Sequence, residues 1–313
     1  MRAWLEYAAY RTVAAVISAL PRRGMIWCAR RMGMGYYLVD RRGRHIAKEN
    51  LERVFPDMTA EERRSLMRRS YRLQATALAE ALWARKLDPK QAAEYLDGPQ
   101  NFLRAIERAR ANNSGALFAT AHYGSWEMAN IATGALGSPK TTIIARELPN
   151  ARIDRHMKAM RERTGNEIVH RKNALASCLR ALKRGEFVAS VIDMTVLPNR
   201  GGQFVDFLGT PALTSPALPL LAVRTGMPLY FSVCEPIGHG MRYQLKTEEI
   251  QVERTGDRDA DVARATLELN RALERAIRRN PEPWIWNYKR WRWRPAEMNG
   301  AFPKYSSWIH DHW

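Results

Sequence analysis

The apolar positions of this chain follow two rhythms. Up to about residue 97 they recur at helical spacing. From Gly98 onward, short apolar runs alternate with amphipathic stretches. In the first part, Trp4, Leu5, Tyr7, Tyr10, Val13, Val16, Ile17 and Leu20 mark one side of a helix. Arg44 to Phe55 continues as a helix that Pro56-Asp57 stops. Thr59 and Glu62 have capping-box spacing, which predicts a long helix to about Lys86, with Leu66, Tyr71, Leu73, Ala77, Leu78 and Leu82 on its buried side. Asp88-Pro89 breaks it.

The second part predicts strands at Ala116–Ala121, Thr141–Ala145, Glu167–Val169 and Phe187–Ile192. Helices over Phe102–Ala111, Ala151–Thr164 and Asn173–Lys183, and one running to about Leu136, separate them. Such alternation predicts an α/β fold whose mostly parallel central sheet is flanked by helices, here with an N-terminal helical extension. Leu229–Val233 and Arg242–Thr247 read as further strands, and Asp259–Arg279 as an amphipathic helix. The division expected is 1–97 for the helical, membrane-associating region and 98–313 for the α/β domain, which closes in a Trp/Arg-rich segment.

In a parallel α/β sheet, functional groups gather where strands end at their carboxyl side. His122, Arg146 and Asp193 each follow a strand at that end. Arg171 lies just beyond the short strand at 167–169. The stretch GALFATAHYGSWEMAN, from Gly115 to Asn130, holds the most chemistry. On one regular helix His122 and Glu127, five apart, would point about 140° away from each other. If Tyr123-Gly124 turns the chain and Ser125 caps a helix, Glu127 falls in the first helical turn behind His122. That is a base with an orienting carboxylate. Gly-Ser-Trp is not a nucleophile elbow, so Ser125 is read as a cap. Asp193 is placed to position either His122 or an acceptor. Thr214-Ser215-Pro216 reads as a helix start whose N-terminus suits an anion.

Charge narrows the partners. The 313 residues carry a formal net charge of +18, with 46% apolar residues. An arginine-rich basic surface suits an anionic lipid, an acidic carrier protein or a nucleic acid. No nucleic-acid-binding motif is present, so no nucleic acid is expected as a partner. Residues 1–44 hold nine arginines against Glu6 and Asp40, interleaved with aromatic and aliphatic side chains. That pattern fits either a helix lying in a membrane interface or one packed on its own domain. No stretch reaches the roughly 18 apolar residues of a spanning helix, and no secretory signal with a clean cleavage site is evident. Cys28, Cys178 and Cys234 are scattered, so neither a disulfide framework nor a metal site is expected. Pro281–Arg294, PEPWIWNYKRWRWR, packs four tryptophans among four basic residues. Its readings are a structural tail on the sheet, an interfacial belt or a base-stacking surface.

Taken together, these segments resemble the late acyltransferases of lipid A biosynthesis, relatives of the glycerolipid acyltransferases that share an H-x4-D/E motif. His122 to Glu127 fits that motif. Asn50-Leu51, Phe55-Pro56-Asp57 and Glu61-Glu62-Arg63 are similar to the family's N-terminal helical region. Arg146 and Asp193 match family positions after successive strands. Phe204–Pro211 with Thr214-Ser215 is similar to a family segment F-V-P-F-F-G-x-P-A-x-T, and Pro281–Trp291 to a C-terminal signature P-E-Q-W-x-W-x-x-R-R-W. Met194-Thr195 and Asp206 depart from the pattern. The resemblance implies transfer of a fatty acyl chain from acyl carrier protein or acyl-CoA, as co-substrate with no other cofactor, to a hydroxyl of a lipid A precursor. His122 would be general base and Glu127 its carboxylate, with Arg146, Asp193, Arg171, Thr214 and Ser215 around the substrate. The expected partners are acyl carrier protein, an anionic glycolipid acceptor and the cytoplasmic face of the inner membrane. Another glycolipid or a lysophospholipid, such as a mannosylated phosphatidylinositol, is the alternative acceptor.

Overall fold

The computed structural model describes residues 1–170, 174–295 and 302–309. Four helices come first: α1 (Arg2–Ala19), α2 (Arg22–Val39), α3 (Arg41–Val54) and α4 (Ala60–Trp83). The expected capping box opens α4: Thr59 Oγ1 accepts from the Glu62 amide at 3.2 Å and Glu62 accepts from the Thr59 amide at 2.7 Å. The short α5 (Pro89–Ala93) then leads to β1 (Leu96–Asp97).

The alternation that follows runs α6 (Gln100–Ala111), β2 (Ala116–Thr120), α7 (Trp126–Ala135), β3 (Thr141–Ala145), α8 (Ala151–Glu162), β4 (Glu167–His170), α9 (Ala174–Lys183) and β5 (Phe187–Val191). After these come β6 (Gln203–Phe207), β7 (Thr210–Thr214), α10 (Ala217–Thr225), β8 (Leu229–Ile237), β9 (Arg242–Ile250) and α11 (Arg258–Arg279). Two short strands, β10 (Trp293–Arg294) and β11 (Ser307–Trp308), pair at the end.

The seven-stranded sheet has the order β1-β9-β8-β2-β5-β3-β4. It is parallel from β8 through β4, and β9, with β1 parallel to it, runs against β8. β2 is central and apolar from Ala116 to Ala119 because both its faces are covered there. Its alternation divides the interior in two. Leu117, Ala119 and Ala121 join one buried cluster with Leu269, Leu273 and Trp284, while Ala116 and Phe118 join another with Phe102, Met128 and Met25. The N-terminal helices contribute to both clusters, Leu51, Leu66 and Tyr71 to the first and Met25, Ile26 and Trp83 to the second.

One stretch folds differently from its sequence reading, the run around Thr214. Phe204–Pro211 is most of a hairpin, in which β6 and β7 pair antiparallel around Leu208-Gly209. Both turn residues have positive φ, 53° and 78°, the requirement of a two-residue hairpin turn. Thr214 therefore ends a strand rather than starting a helix, and α10 begins after Pro216 without a side-chain cap. The tryptophans of Pro281–Arg294 are buried, as a tail packed on the sheet requires, and do not form a solvent-facing belt.

The outer faces of α1 and α2 remain apolar. Trp4, Leu5, Val13, Val16, Trp27, Met32, Tyr36, Leu38 and Val39 are exposed. Among the described residues, no helix is long and apolar enough to cross a membrane.

α2 crosses α4 at close range through Gly33. A Cβ there would lie 2.6 Å from the Tyr71 carbonyl oxygen and 2.9 Å from Arg72 Cα, whereas one on Gly35 of the same helix would meet nothing within 4 Å. Gly33→Leu is expected to cost about 3 kcal/mol through forced separation of the two helices. Gly35→Ala is expected to add about 0.5–1 kcal/mol, since alanine is the better helix former. Thermal unfolding of both variants beside the parent chain checks this pair.

Candidate active site

Strand register builds the centre of the site. β2 and β5 are parallel neighbours with Thr120 opposite Val191. Two residues past that rung on each strand stand His122 and Asp193. The ladder continues between them: the Ile192 amide donates to the Thr120 carbonyl at 2.9 Å, and the His122 amide donates to Asp193 Oδ2 at 2.9 Å. The His122 ring then meets the other carboxylate oxygen, Nδ1 to Oδ1 at 2.9 Å. An ionised carboxylate only accepts, so Nδ1 carries the proton and Nε2 the lone pair.

Asp193 is fully buried, and its oxygens also receive the Trp284 indole N–H at 3.2 Å. Burial works against its charge, but the His122 charge, the His122 ring and backbone hydrogen bonds and the Arg290 charge hold its pKa below the ordinary range. Burial likewise pulls the His122 pKa down. The Asp193 charge and hydrogen bond outweigh that, Glu127 adds to them, and the net direction is upward from 6.5.

The turn after His122 has no freedom to adopt another residue at Gly124. Its φ is +69°, and a Cβ would sit 1.8 Å from the Cys234 carbonyl oxygen. The Ser125 amide donates to that same carbonyl at 3.1 Å, pinning the turn to β8. Ser125 caps α7 as expected, accepting from the Met128 amide at 3.4 Å. The Trp126 ring meets the His122 ring edge to face, with centroids 4.8 Å apart.

Glu127 falls in the first turn of α7, as the spacing predicts, but its carboxylate is engaged elsewhere. Arg161 of α8 grips it, Nε reaching Oε1 at 3.0 Å and Oε2 at 3.2 Å while Nη2 binds Oε1 as well. The Trp126 indole N–H donates to Oε1 at 3.2 Å. The carboxylate that orients His122 is thus Asp193, and the expected contact from Glu127 to the ring is replaced by a field at a distance. Sequence reasoning passed over Arg161 because α8 carries several basic residues at similar spacing. Only three-dimensional packing distinguishes the one that faces Glu127. Trp284 was hidden likewise inside a tail whose aromatic content reads as packing.

His122 lies on the wall of a cavity of about 410 Å³. Arg146, Leu148, Arg161, Met194, Thr195 and Tyr288 line it with His122 near the strand ends, and Tyr288 Oη accepts from the Thr195 amide at 3.1 Å. From there it runs along the sheet past Val191 and Ala189 to Phe187, with Phe118, Phe102 and Leu245 beside it. A mainly apolar passage that begins at a histidine base suits an aliphatic chain bearing a reactive group at one end. The other expected site residues part company here. Arg146 is exposed and lines the cavity. Thr214 is buried away from it, giving its hydroxyl hydrogen to the Ala212 carbonyl at 3.0 Å and accepting from Arg290 at 2.5 Å. Ser215 is not among the lining residues, and Arg171 lies outside the described residues. Among the described residues no group of three or more His, Cys, Asp or Glu side chains is arranged to hold a metal ion.

The family described as bacterial lipid A biosynthesis acyltransferase matches residues 1–293. The lipid A biosynthesis palmitoleoyltransferase of Escherichia coli (strain K12) is 25% identical over 264 residues, covering 84% of this chain and 83% of that protein. The lipid A biosynthesis lauroyltransferase of the same organism is 27% identical over 261 residues, covering 82% and 81%. A Shigella flexneri lipid A biosynthesis acyltransferase 2 is 23% identical over 281 residues, covering 85% and 82%. With the family matched over nearly its whole length, the chain belongs to the bacterial lipid A biosynthesis acyltransferases.

Proposed function

We propose that this chain transfers a fatty acyl group from a carrier thioester to a hydroxyl of a lipid A precursor, with His122 as general base. The observation that carries the reading is the His122–Asp193 pair at the head of an apolar cavity. The acyl chain lies along β2 and β5, its thioester carbonyl beside His122. The acceptor hydroxyl gives its proton to His122 Nε2 as its oxygen attacks the carbonyl carbon. Asp193 stabilises the imidazolium through the Nδ1 hydrogen bond, so no charge is left uncompensated at the buried ring. The tetrahedral oxyanion collapses, the carbon–sulfur bond breaks, and the imidazolium proton passes to the departing thiolate. The products are an ester and a free thiol.

Glu127 serves this site through Arg161. Two of the three guanidinium nitrogens are occupied by Glu127, and Arg161 lines the cavity, which brings a fixed cation to the place where oxyanion charge develops. Arg146, exposed at the cavity, suits a phosphate of the acceptor. The net charge of +18 fits both an acidic acyl carrier protein as donor and an anionic membrane. The exposed apolar faces of α1 and α2, interleaved with arginines, are the surface that rests on that membrane. That surface and the charge support a reading of the protein as a peripheral or monotopic enzyme on the cytoplasmic face of the inner membrane.

His122→Gln and Asp193→Asn are each expected to lower kcat by about 10²–10⁴-fold with the chain still folded, and Asp193→Asn also to unfold at a lower temperature, because it leaves the buried Arg290 charge without its partner. Steady-state transfer from an acyl carrier protein thioester measures this, and near-parental turnover by His122→Gln rules out the general base. Because the base acts deprotonated and its pKa is raised, kcat/KM rises with pH through a midpoint above 6.5. A pH profile with its acidic limb below that value contradicts the assignment. Ala189→Phe narrows the passage between His122 and Phe187. Competition between donors of different chain length is expected to shift toward the shorter acyl group, and an unchanged preference places the chain elsewhere.

A further inference from the structure

The Trp/Arg-rich segment after α11 is more than a packed tail. Trp286 and Trp291 account for themselves by burial, their indole N–H groups donating to the Pro281 and Thr210 carbonyls at 2.7 and 3.3 Å. Of the other members, Trp284 hydrogen-bonds to Asp193, and the buried Arg290 acts on it by charge alone. We infer that Trp284 and Arg290 are positioning residues that hold Asp193 ionised and correctly turned, and that through it they tune the basicity of His122. The inference rests on the general-base reading of His122.

Trp284 is fully buried, and its indole N–H meets Asp193 Oδ2, the oxygen that also accepts the His122 amide. With Oδ2 doubly engaged, Oδ1 is turned to the ring Nδ1–H. Arg290 is also fully buried. Nη1 donates to the Leu213 carbonyl at 2.9 Å and Nη2 to Thr214 Oγ1 at 2.5 Å, and the guanidinium lies 5.0 Å from the Phe207 ring centroid. These neutral acceptors engage Nη1 and Nη2 without neutralising the charge, and the buried Nε has no hydrogen-bond partner among the described residues. The carboxylate whose charge supports it is Asp193, and the effect is mutual. Two opposite charges are thus buried near one another, and removal of either leaves the other exposed to the full cost of desolvation.

The consequence at His122 has a definite sign. The charged and titratable groups acting on the ring are Asp193 beyond β5, Glu127 on α7 and Arg161 on α8. Those acting on Asp193 are His122 and Arg290, and Asp193 in turn adds to the rise that burial causes in the pKa of Tyr288. Arg290 weakens the negative field of Asp193, so it keeps His122 from being locked in the protonated form. Loss of the cation, or of the Trp284 donor that disperses carboxylate charge, makes Asp193 a stronger proton partner and raises the His122 midpoint.

An NMR titration of the His122 imidazole in the full chain tests this without any substrate, the signal being assigned among seven histidines by its absence from His122→Gln. Arg290→Met is expected to move the midpoint up by about one unit. Trp284→Phe, which keeps the aromatic ring, is expected to move it in the same direction by less. Arg290→Lys restores the charge and the parental midpoint. A parental midpoint in Trp284→Phe overturns the inference, and this variant decides the matter if Arg290→Met does not fold. A parent chain that transfers no acyl group would count against the functional proposal instead, and would leave the titration result standing.

Discussion

The fold turns on one buried carboxylate. Asp193 sits with no exposure to solvent between a histidine ring, a backbone amide, an indole N–H and the field of a buried guanidinium. A charge in that position is tolerable only if every element around it keeps its place. The β2–β5 register supplies the ring and the amide, and the segment after α11 supplies the indole and the cation. The hairpin of β6 and β7 in turn holds that cation, through the Leu213 carbonyl and the Thr214 hydroxyl. Stability and the proposed proton transfer therefore draw on the same contacts.

Around this centre the sheet does two jobs at once. Its carboxyl end gathers the polar chemistry, and the face under α6 and α7 leaves an apolar passage beside β2 and β5. Gly124 lets β8 press against the turn that follows His122, and Ser125 starts α7 at a fixed place. Glu127 and Arg161 then bridge α7 to α8 along the same wall. A site assembled from three strand ends and two helix termini can hold a base, a carboxylate and a cation within one mouth. Local sequence proximity alone could not.

Much of this was legible along the chain, for reasons that explain the rest. The strand runs and the capping residues Thr59 and Ser125 are local signals, read from a few consecutive positions. His122, Arg146 and Asp193 stand out because each follows an apolar strand. Asp193 reads from sequence as a positioner of either His122 or an acceptor, and the choice between them is not legible there, since which strand lies beside β2 is a property of sheet order. Glu127, near in sequence, was the natural choice, and Asp193, 71 residues on, made the contact. Arg161 and Arg290 look like their many basic neighbours until burial separates them. Thr214 misled because a Thr-Ser-Pro run has the composition of a helix start, whereas pairing with Gln203 made it the last residue of a strand.

The central claim is that the His122–Asp193 pair moves a proton during acyl transfer to a lipid A precursor. Mass spectrometry of the precursor after incubation with an acyl carrier protein thioester, using the parent chain and His122→Gln, addresses it most directly. The parent is expected to add one acyl group, and the variant to leave the lipid unmodified. Equal acylation by both, or no acylation of this lipid by a folded parent chain, would contradict it.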